Sequence, residues 1–232
     1  MPTSTLPKLS LVEEGENKSL TSRVYDAMRN DILSGAIPPG QKLKIEELSR
    51  NYEVGNSPIR EALSLLTSDL LVERLEQRGF RVVEVSAQEF KDILKTRVWL
   101  ETLAIREAIT NNSPDWEENI ILATYRLSRT PRSLSDESFV VNPEWEKLHK
   151  EFHMALISGC GSSILLRFCD QLYDQNTRYR HLTGPMAYPT RDIAAEHKAL
   201  SDAVLDRNAD LAVRLLSEHY ESTIGFLQKF DG

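Results

Sequence analysis

The apolar positions Leu20, Val24, Ala27, Met28 and Ile32 recur at helical intervals, and Gly35 follows them where a helix would stop. Before them, residues 1–18 mix Pro, Ser, Thr, Glu and Lys without a period, which predicts a flexible tail. Beyond AIPPGQKL a short helix is expected over roughly Ile45 to Tyr52, with Leu48 on its buried face. A second is expected over about Pro58 to Ser68, with Ala62, Leu63 and Leu66 facing the core. Then the period changes. LLVERLEQRGFRVVEV reads as two strands around Gln77-Arg78-Gly79, with glycine where a tight hairpin needs positive φ. Helix, helix, tight turn, helix and hairpin, over residues 19–85, is the order of a winged helix-turn-helix.

From 86 to 232 the pattern is helical throughout. Ser86 and Glu89 have the spacing of a capping box, and the helix they begin should run to about Thr110. Ser113-Pro114 and Asn142-Pro143 each set an N-cap before a proline in the first helical position. Gly159 and Gly184 suit helix ends, and Asn208 suits the cap of the last helix. About six helices and no strand signal fill this segment. The expected fold is mainly α, an N-terminal winged helix-turn-helix followed by an all-α helical bundle.

Composition adds little to this picture except for charge. The 232 residues are 41% hydrophobic and 27% charged, as in an ordinary globular protein. No run of about 18 apolar residues exists, and the first residues lack a signal peptide's apolar core. With only Cys160 and Cys169, a disulfide framework is not indicated, so the expected setting is the cytoplasm with no membrane. The net charge is −7, and residues 19–85 carry nine Lys/Arg against ten acids. Nonspecific coating of nucleic acid is therefore not expected, and any DNA contact must rest on a few placed side chains.

VGNSPIREAL, residues 54–63, offers such side chains. In a helix-turn-helix the second helix enters the major groove with its first residues nearest the bases. Gly55 is a residue tolerant of unusual dihedrals for the bend before it. Asn56 and Ser57 can cap the helix or bond a phosphate at its N-terminus, and Arg60 points away from the core toward guanine or phosphate. The bland alternative is a helix hairpin with one solvated arginine. The run IEELSRNYEVGNSPIREALSLLTSDLLVERLEQRGFRVVEV resembles the DNA-binding half of GntR-type bacterial transcription regulators, whose usual pattern is similar to VSRTPVREAL followed by a wing glycine. Val54, Pro58, Arg60, Glu61, Ala62, Leu63 and Gly79 match it. The resemblance implies DNA contacts at Arg60, at the wing glycine Gly79 and at the position held here by Asn56, and Arg78 with Arg81 offers a local basic cluster on the wing. Where the family has arginine this chain has Asn56, the preceding serine is Gly55, and an arginine common on the helix before is Glu46. Asparagine suits adenine where arginine suits guanine or phosphate, so a different operator and a lower affinity are expected.

Four of the five histidines share a feature. His149 and His153 are four apart on a helix face with Trp145, Phe152 and Leu156. His197 stands in the row Ile193, His197, Leu200, Val204, and His219 in the row Leu215, His219, Phe226. A single buried histidine is usually a satisfied core residue, but four on the inner faces of three helices need something shared, and a divalent metal would serve. His181 shows no such pattern. The segments TRVWLE, LHKEFHMALISGCGSS and EHKALSDAVLDRNADLAVRLLSEH look like the C-terminal effector-binding (FCD-type) domain of the FadR subgroup. Members with a metal use an aspartate and three histidines, which resemble positions 149, 153, 197 and 219. Histidine for aspartate at 149 leaves the site more positive and softer, which favours Zn or Ni over Mn or Mg and strengthens attraction for an anion. The resemblance implies a small organic acid on the metal, assisted by arginines, with Arg97 the best match and Arg178 and Arg180, before the TGPMAYP loop, as further candidates. For Arg97 a simple i,i+4 ion pair with Glu101 is the equal alternative. Cys160 reads as a helix-end residue and not a nucleophile.

Two other readings remain open. HKEFH resembles the zinc-peptidase motif, but Lys150 stands where the general-base glutamate belongs and Glu151 would point elsewhere, so an enzyme is not expected. A metal sensor, with the metal itself as signal, is the other. The reading favoured is a homodimeric regulator of a double-stranded DNA operator, controlled by a carboxylate at a metal site in residues 86–232.

Overall fold

α1 (Leu20–Ser34) begins at Ser19, whose hydroxyl oxygen accepts from the Ser22 backbone N–H at 3.2 Å, and ends at Gly35 in the left-handed region, φ 81°. In this computed structural model the described residues are 18–76, 78–187 and 191–227, the side chains of 182–187 and 224–227 excepted. The expected N-terminal tail, apart from Lys18, and Gln77 of the hairpin lie outside them. The chain divides into two compact units between Ser86 and Ala87.

In the first unit α1 is followed by β1 (Lys42–Leu43), α2 (Ile45–Asn51), α3 (Asn56–Ser68), β2 (Val72–Leu75) and β3 (Gly79–Val82). α1 and α3 pack on each other, and Val24, Met28, Ile59, Ala62, Leu63 and Leu66 are completely buried between them and their neighbours. Each large aliphatic side chain there contributes roughly 1.5–3 kcal/mol of burial. Two tyrosines tie the helices: Tyr52 Oη donates to Asp31 at 2.5 Å and Tyr25 Oη to Asp69 at 2.6 Å. Burial raises the Asp31 pKa above its ordinary value, and the Tyr52 bond offsets part of that.

Three sequence expectations change here. The sheet has three strands in the order β1-β3-β2, because Lys42 pairs with Arg81 and Leu43 with Phe80; two residues are too short to show a period. α3 starts two residues before the expected Pro58, with Gly55 as its N-cap and no side-chain capping bond, so Asn56 and Ser57 are its first residues and not its cap. Gly55 itself has φ −70° and ψ 168°, ordinary extended backbone, while the left-handed residue of the turn is Glu53, φ 55°. The wing glycine is different: Gly79 has φ 90°.

The second unit contains α4 (Ala87–Asn111), α5 (Pro114–Ser128), α6 (Pro143–Ile157), a 3₁₀ turn at Ser158–Cys160, α7 (Ser163–Ala187), α8 (Ile193–Leu205) and α9 (Ala209–Leu227). Helix starts follow their caps. Ser113 accepts from Trp116 N–H at 3.3 Å, Asn142 from Glu144 at 3.1 Å, Asp192 from Ala195 at 2.9 Å and Asn208 from Leu211 at 3.1 Å. Gly184 does not end a helix. α7 continues through Thr183-Gly-Pro-Met-Ala187, so most of the expected loop is helix, and the two helix breakers stand in its last turn, where they forfeit least. Between α5 and α6, Ser133 Oγ accepts from Val140 N–H at 2.9 Å and Asn142 Nδ2 donates to Pro131 O at 2.7 Å, which fixes the loop carrying Arg132.

A Cβ added at Gly55 meets nothing within 4 Å. Gly55→Ser should therefore raise stability by a few tenths to about 1 kcal/mol through a new N-cap and a less flexible unfolded chain. Gly79→Ala should lower it by roughly 1–2 kcal/mol, since alanine pays for the left-handed backbone. Urea midpoints of the two variants, moving in opposite directions, check both.

Candidate functional site

The four histidines on α6, α8 and α9 meet. His149, His153, His197 and His219 are all buried, and one nitrogen of each lies within 4.8 Å of the others. His149 Nε2 is 3.2 Å from the Nε2 of both His153 and His197. The i,i+4 spacing on α6 brings two of the rings together edge to face, and the buried stripes of α8 and α9 bring in the other two. Trp145 stacks on His149 with ring centroids 4.5 Å apart.

The outer nitrogens have partners of their own. His219 Nδ1 is 2.6 Å from Glu196 Oε2, His149 Nδ1 is 2.5 Å from Tyr173 Oη, and His153 Nδ1 is 3.4 Å from Tyr220 Oη. Such contacts fix the ring orientation and turn Nε2 inward, the arrangement found around metal-bound imidazoles. Arg180 also bonds to His149 Nδ1 and to Glu146. Burial, and then the neighbouring guanidinium and imidazole groups, hold His149, His153 and His197 well below the ordinary histidine pKa. Burial also lowers His219, against the pull of Glu196. The rings are therefore neutral, the form that binds metal. Four convergent imidazole nitrogens, supported from outside, fit a borderline divalent ion, and this cluster could bind one.

Positive charge gathers beside the cluster. Arg191 donates to Glu196 at 2.6 and 2.8 Å, to the His219 carbonyl at 2.6 Å and to Thr223 at 2.9 Å. Arg132 lies over Phe139 and Trp145, 5.2 and 5.8 Å from their ring centroids. Burial, followed by repulsion from Arg180 and Arg191, pushes the Arg132 pKa down to about 10. Glu196 would be raised by burial, but bonds from His219 and Arg191 outweigh this and bring it to about 2. Three guanidiniums thus face two carboxylates, Glu146 and Glu196. A cavity of about 30 Å³ touches His149, His219 and all three arginines. A larger one of about 830 Å³, between α5 and α8, touches His197, Arg132 and Arg191.

Of the arginines singled out from sequence, Arg180 stands at the cluster. Arg97 is 1% exposed and is engaged by Glu101 (Nε to Oε1, 2.8 Å) and by the Tyr220 hydroxyl at 2.6 Å, so the i,i+4 pair forms. Arg178 is buried on α7 but lines neither cavity. Arg132 and Arg191 were not anticipated. They stand in connections without a period, and only the Asn142-Pro143 cap and the Asp192 cap hint at ordered turns beside them. His181 approaches Glu146 at 3.5 Å. In the first unit Asn56, Ser57, Arg60, Arg78 and Gly79 are all exposed. Arg81 is held by Glu73 at 2.7 Å and Glu84 at 3.1 Å, so it adds little positive charge to the wing.

Two family models match the chain: "Bacterial regulatory proteins, gntR family" over residues 20–82 and "FCD domain" over residues 92–222. The chain is 38% identical over 214 residues to the HTH-type transcriptional regulator BphR of Paraburkholderia xenovorans, covering 92% of this chain and 87% of that one. It is 32% identical over 209 residues to the HTH-type transcriptional repressor GlaR of Escherichia coli, covering 88% and 94%. Among solved structures, E. coli McbR/YncC superposes with a TM-score of 0.76 at 21% identity, over 93% of this chain and all of that one. No described helix is long and apolar enough to cross a membrane.

The histidine pKa values set a pH dependence. All four are lower when folded than the ordinary ~6.5, so the unfolded chain binds more protons as pH falls. Their stabilising effect is complete above about pH 6.5 and is lost as pH falls from there toward the folded values. Metal-stripped protein should keep a constant Tm from pH 8 to 7 and lose Tm steadily between 6.5 and 5. A flat profile across that range would contradict neutral, buried rings.

Proposed function

The chain belongs to the GntR family of bacterial transcription regulators and carries the FCD C-terminal domain of the FadR subfamily, and on that footing we propose that it is a homodimer whose operator affinity is set by a carboxylate bound at the histidine cluster. The observation that carries this reading is the excess of guanidinium charge beside four neutral, convergent imidazoles. A divalent ion, Zn or Ni by the softness of an all-nitrogen donor set, would be held by His149, His153, His197 and His219 and would supply a positive centre for one carboxylate oxygen. Arg180, Arg132 and Arg191 orient the acid by charge and by donated hydrogen bonds. Arg97 acts one layer further out, holding Tyr220 and Glu101 against His153. The arginines favour this reading over a pure metal sensor, which needs no anion site.

On DNA, the first turn of α3 enters the major groove, with Asn56 and Ser57 at its N-terminus and Arg60 one turn in. Arg78 and Gly79 follow the backbone at the wing. Because residues 19–85 hold ten acids against nine bases, affinity rests on specific contacts in two half-sites and nonspecific binding is weak.

Titration of the protein against its own upstream DNA and a scrambled duplex at one fixed salt concentration tests the reading. Arg60→Ala should lower affinity for the native duplex by about 1–3 kcal/mol, roughly 5- to 150-fold. Unchanged affinity would remove Arg60 from the contact. In the same assay, metal plus carboxylate should shift operator affinity by a factor of about 5–150. His153→Ala should abolish that shift and the metal content, read by atomic absorption, while leaving the helical circular dichroism intact.

A further inference from the structure

The two cavities beside the histidines differ in size and share a wall made of Arg132, Trp145, Arg191 and Ile193. At about 30 Å³ the inner one holds roughly two waters or a single carboxylate group. At about 830 Å³ the outer one lies within the range of sites for whole organic ligands. The body of any acid anchored at the arginines must therefore extend into the outer cavity.

The walls of that cavity say what kind of body it is. Ile121, Leu127, Ile193 and Leu205 line it, and Ile121 and Tyr125 are left 55% and 63% exposed along α5. Its polar groups are engaged with one another. Thr124 and Ser201 share a hydrogen bond of 2.9 Å, Lys198 and Asp202 pair at the rim at 2.6 Å, and Asp192 caps α8. At the inner end Arg132 differs: its Nε is buried without a hydrogen-bond partner among the described residues. The groove is thus mainly apolar, with one cation at the rim, Lys198, paired with Asp202, and two at the inner end beside His197, Arg132 and Arg191.

We propose that the effector is a carboxylic acid with an extended apolar or aryl body, its carboxylate at Arg132 and Arg191 and its body in the groove between α5 and α8. This rests on the carboxylate reading of the histidine site and narrows it, since a short dicarboxylate would leave the groove empty or set its second charge against Ile121, Leu127 and Leu205. Head-in binding is the orientation in which the acid's single charge meets the guanidinium whose Nε is buried without a partner and its carbons replace water over α5.

The test uses the metal-loaded full-length protein and the quenching of its tryptophan fluorescence, Trp145 lining both cavities. The probes are propanoate, pentanoate, heptanoate, 3-phenylpropanoate and glutarate. Kd should fall roughly fourfold per added methylene, the value of about 0.8 kcal/mol per buried CH₂. Phenylpropanoate should bind with the longer acids, and glutarate more weakly than pentanoate. Ala194→Trp, at an exposed position on the groove wall, should erase the chain-length gain and leave propanoate binding intact. A flat series with propanoate still bound overturns the groove while the carboxylate site stands, and so does glutarate as the tightest ligand. Binding of no acid at all overturns both. If Ala194→Trp instead changes the oligomeric state by light scattering, the groove is a contact between copies and the proposal falls.

Discussion

Four imidazoles buried within 4.8 Å of one another set the terms for the whole helical unit. Burial opposes the proton on all four, helped by neighbouring guanidinium and imidazole groups and offset in part by Glu196 at His219, and each inward nitrogen still needs a partner. The geometry is held only because α4, α7, α8 and α9 each commit a side chain from outside. Glu101 of α4 fixes the Tyr220 hydroxyl, Tyr173 of α7 meets His149, Glu196 of α8 meets His219, and Tyr220 of α9 meets His153. The cluster so assembled could bind a divalent metal ion, and the surrounding guanidiniums add positive charge beside it.

The excess of positive charge explains why Arg97 and Arg132 take different roles. Arg97 is fully buried with a carboxylate four residues on, so its charge is compensated within α4 and Tyr220 takes its remaining reach. Arg132 has aromatic faces beside it and repulsion from Arg180 and Arg191, which leaves its charge available to a ligand. Spacing along a helix identifies the first kind of arginine easily. It is blind to the second.

That contrast marks how far the sequence could be read. His149, His153, His197 and His219 were legible because all four sit in helices, where periodicity says which way a side chain points. The caps at Ser113, Asn142 and Asn208 were legible because their chemistry is local. Arg132 and Arg191 were not, because their positions follow from how loops close: Ser133 gathering backbone N–H groups in one, the Asp192 cap after the other. β1 escaped for a related reason, as a two-residue strand is defined by its partner Phe80-Arg81 and not by itself. Gly55 was misjudged in detail, since the turn before α3 takes its left-handed residue from Glu53.

The buried Arg97–Glu101–Tyr220 triad poses a last question, because such networks seldom add stability over well-packed apolar side chains. Its geometry suggests a different use. Tyr220 Oη donates to Glu101 at 2.5 Å, accepts from Arg97 at 2.6 Å and reaches His153 Nδ1 at 3.4 Å, so the orientation of one ring of the cluster is tied to α4. α4 begins at Ala87, directly after the DNA-binding unit in the chain. The His153 ring is thus tied to a helix whose charges are buried and cannot relax into solvent. An apolar triad of equal volume would pack as well and would leave the His153 ring without that contact, which is a physical reason for keeping charges where stability alone does not require them.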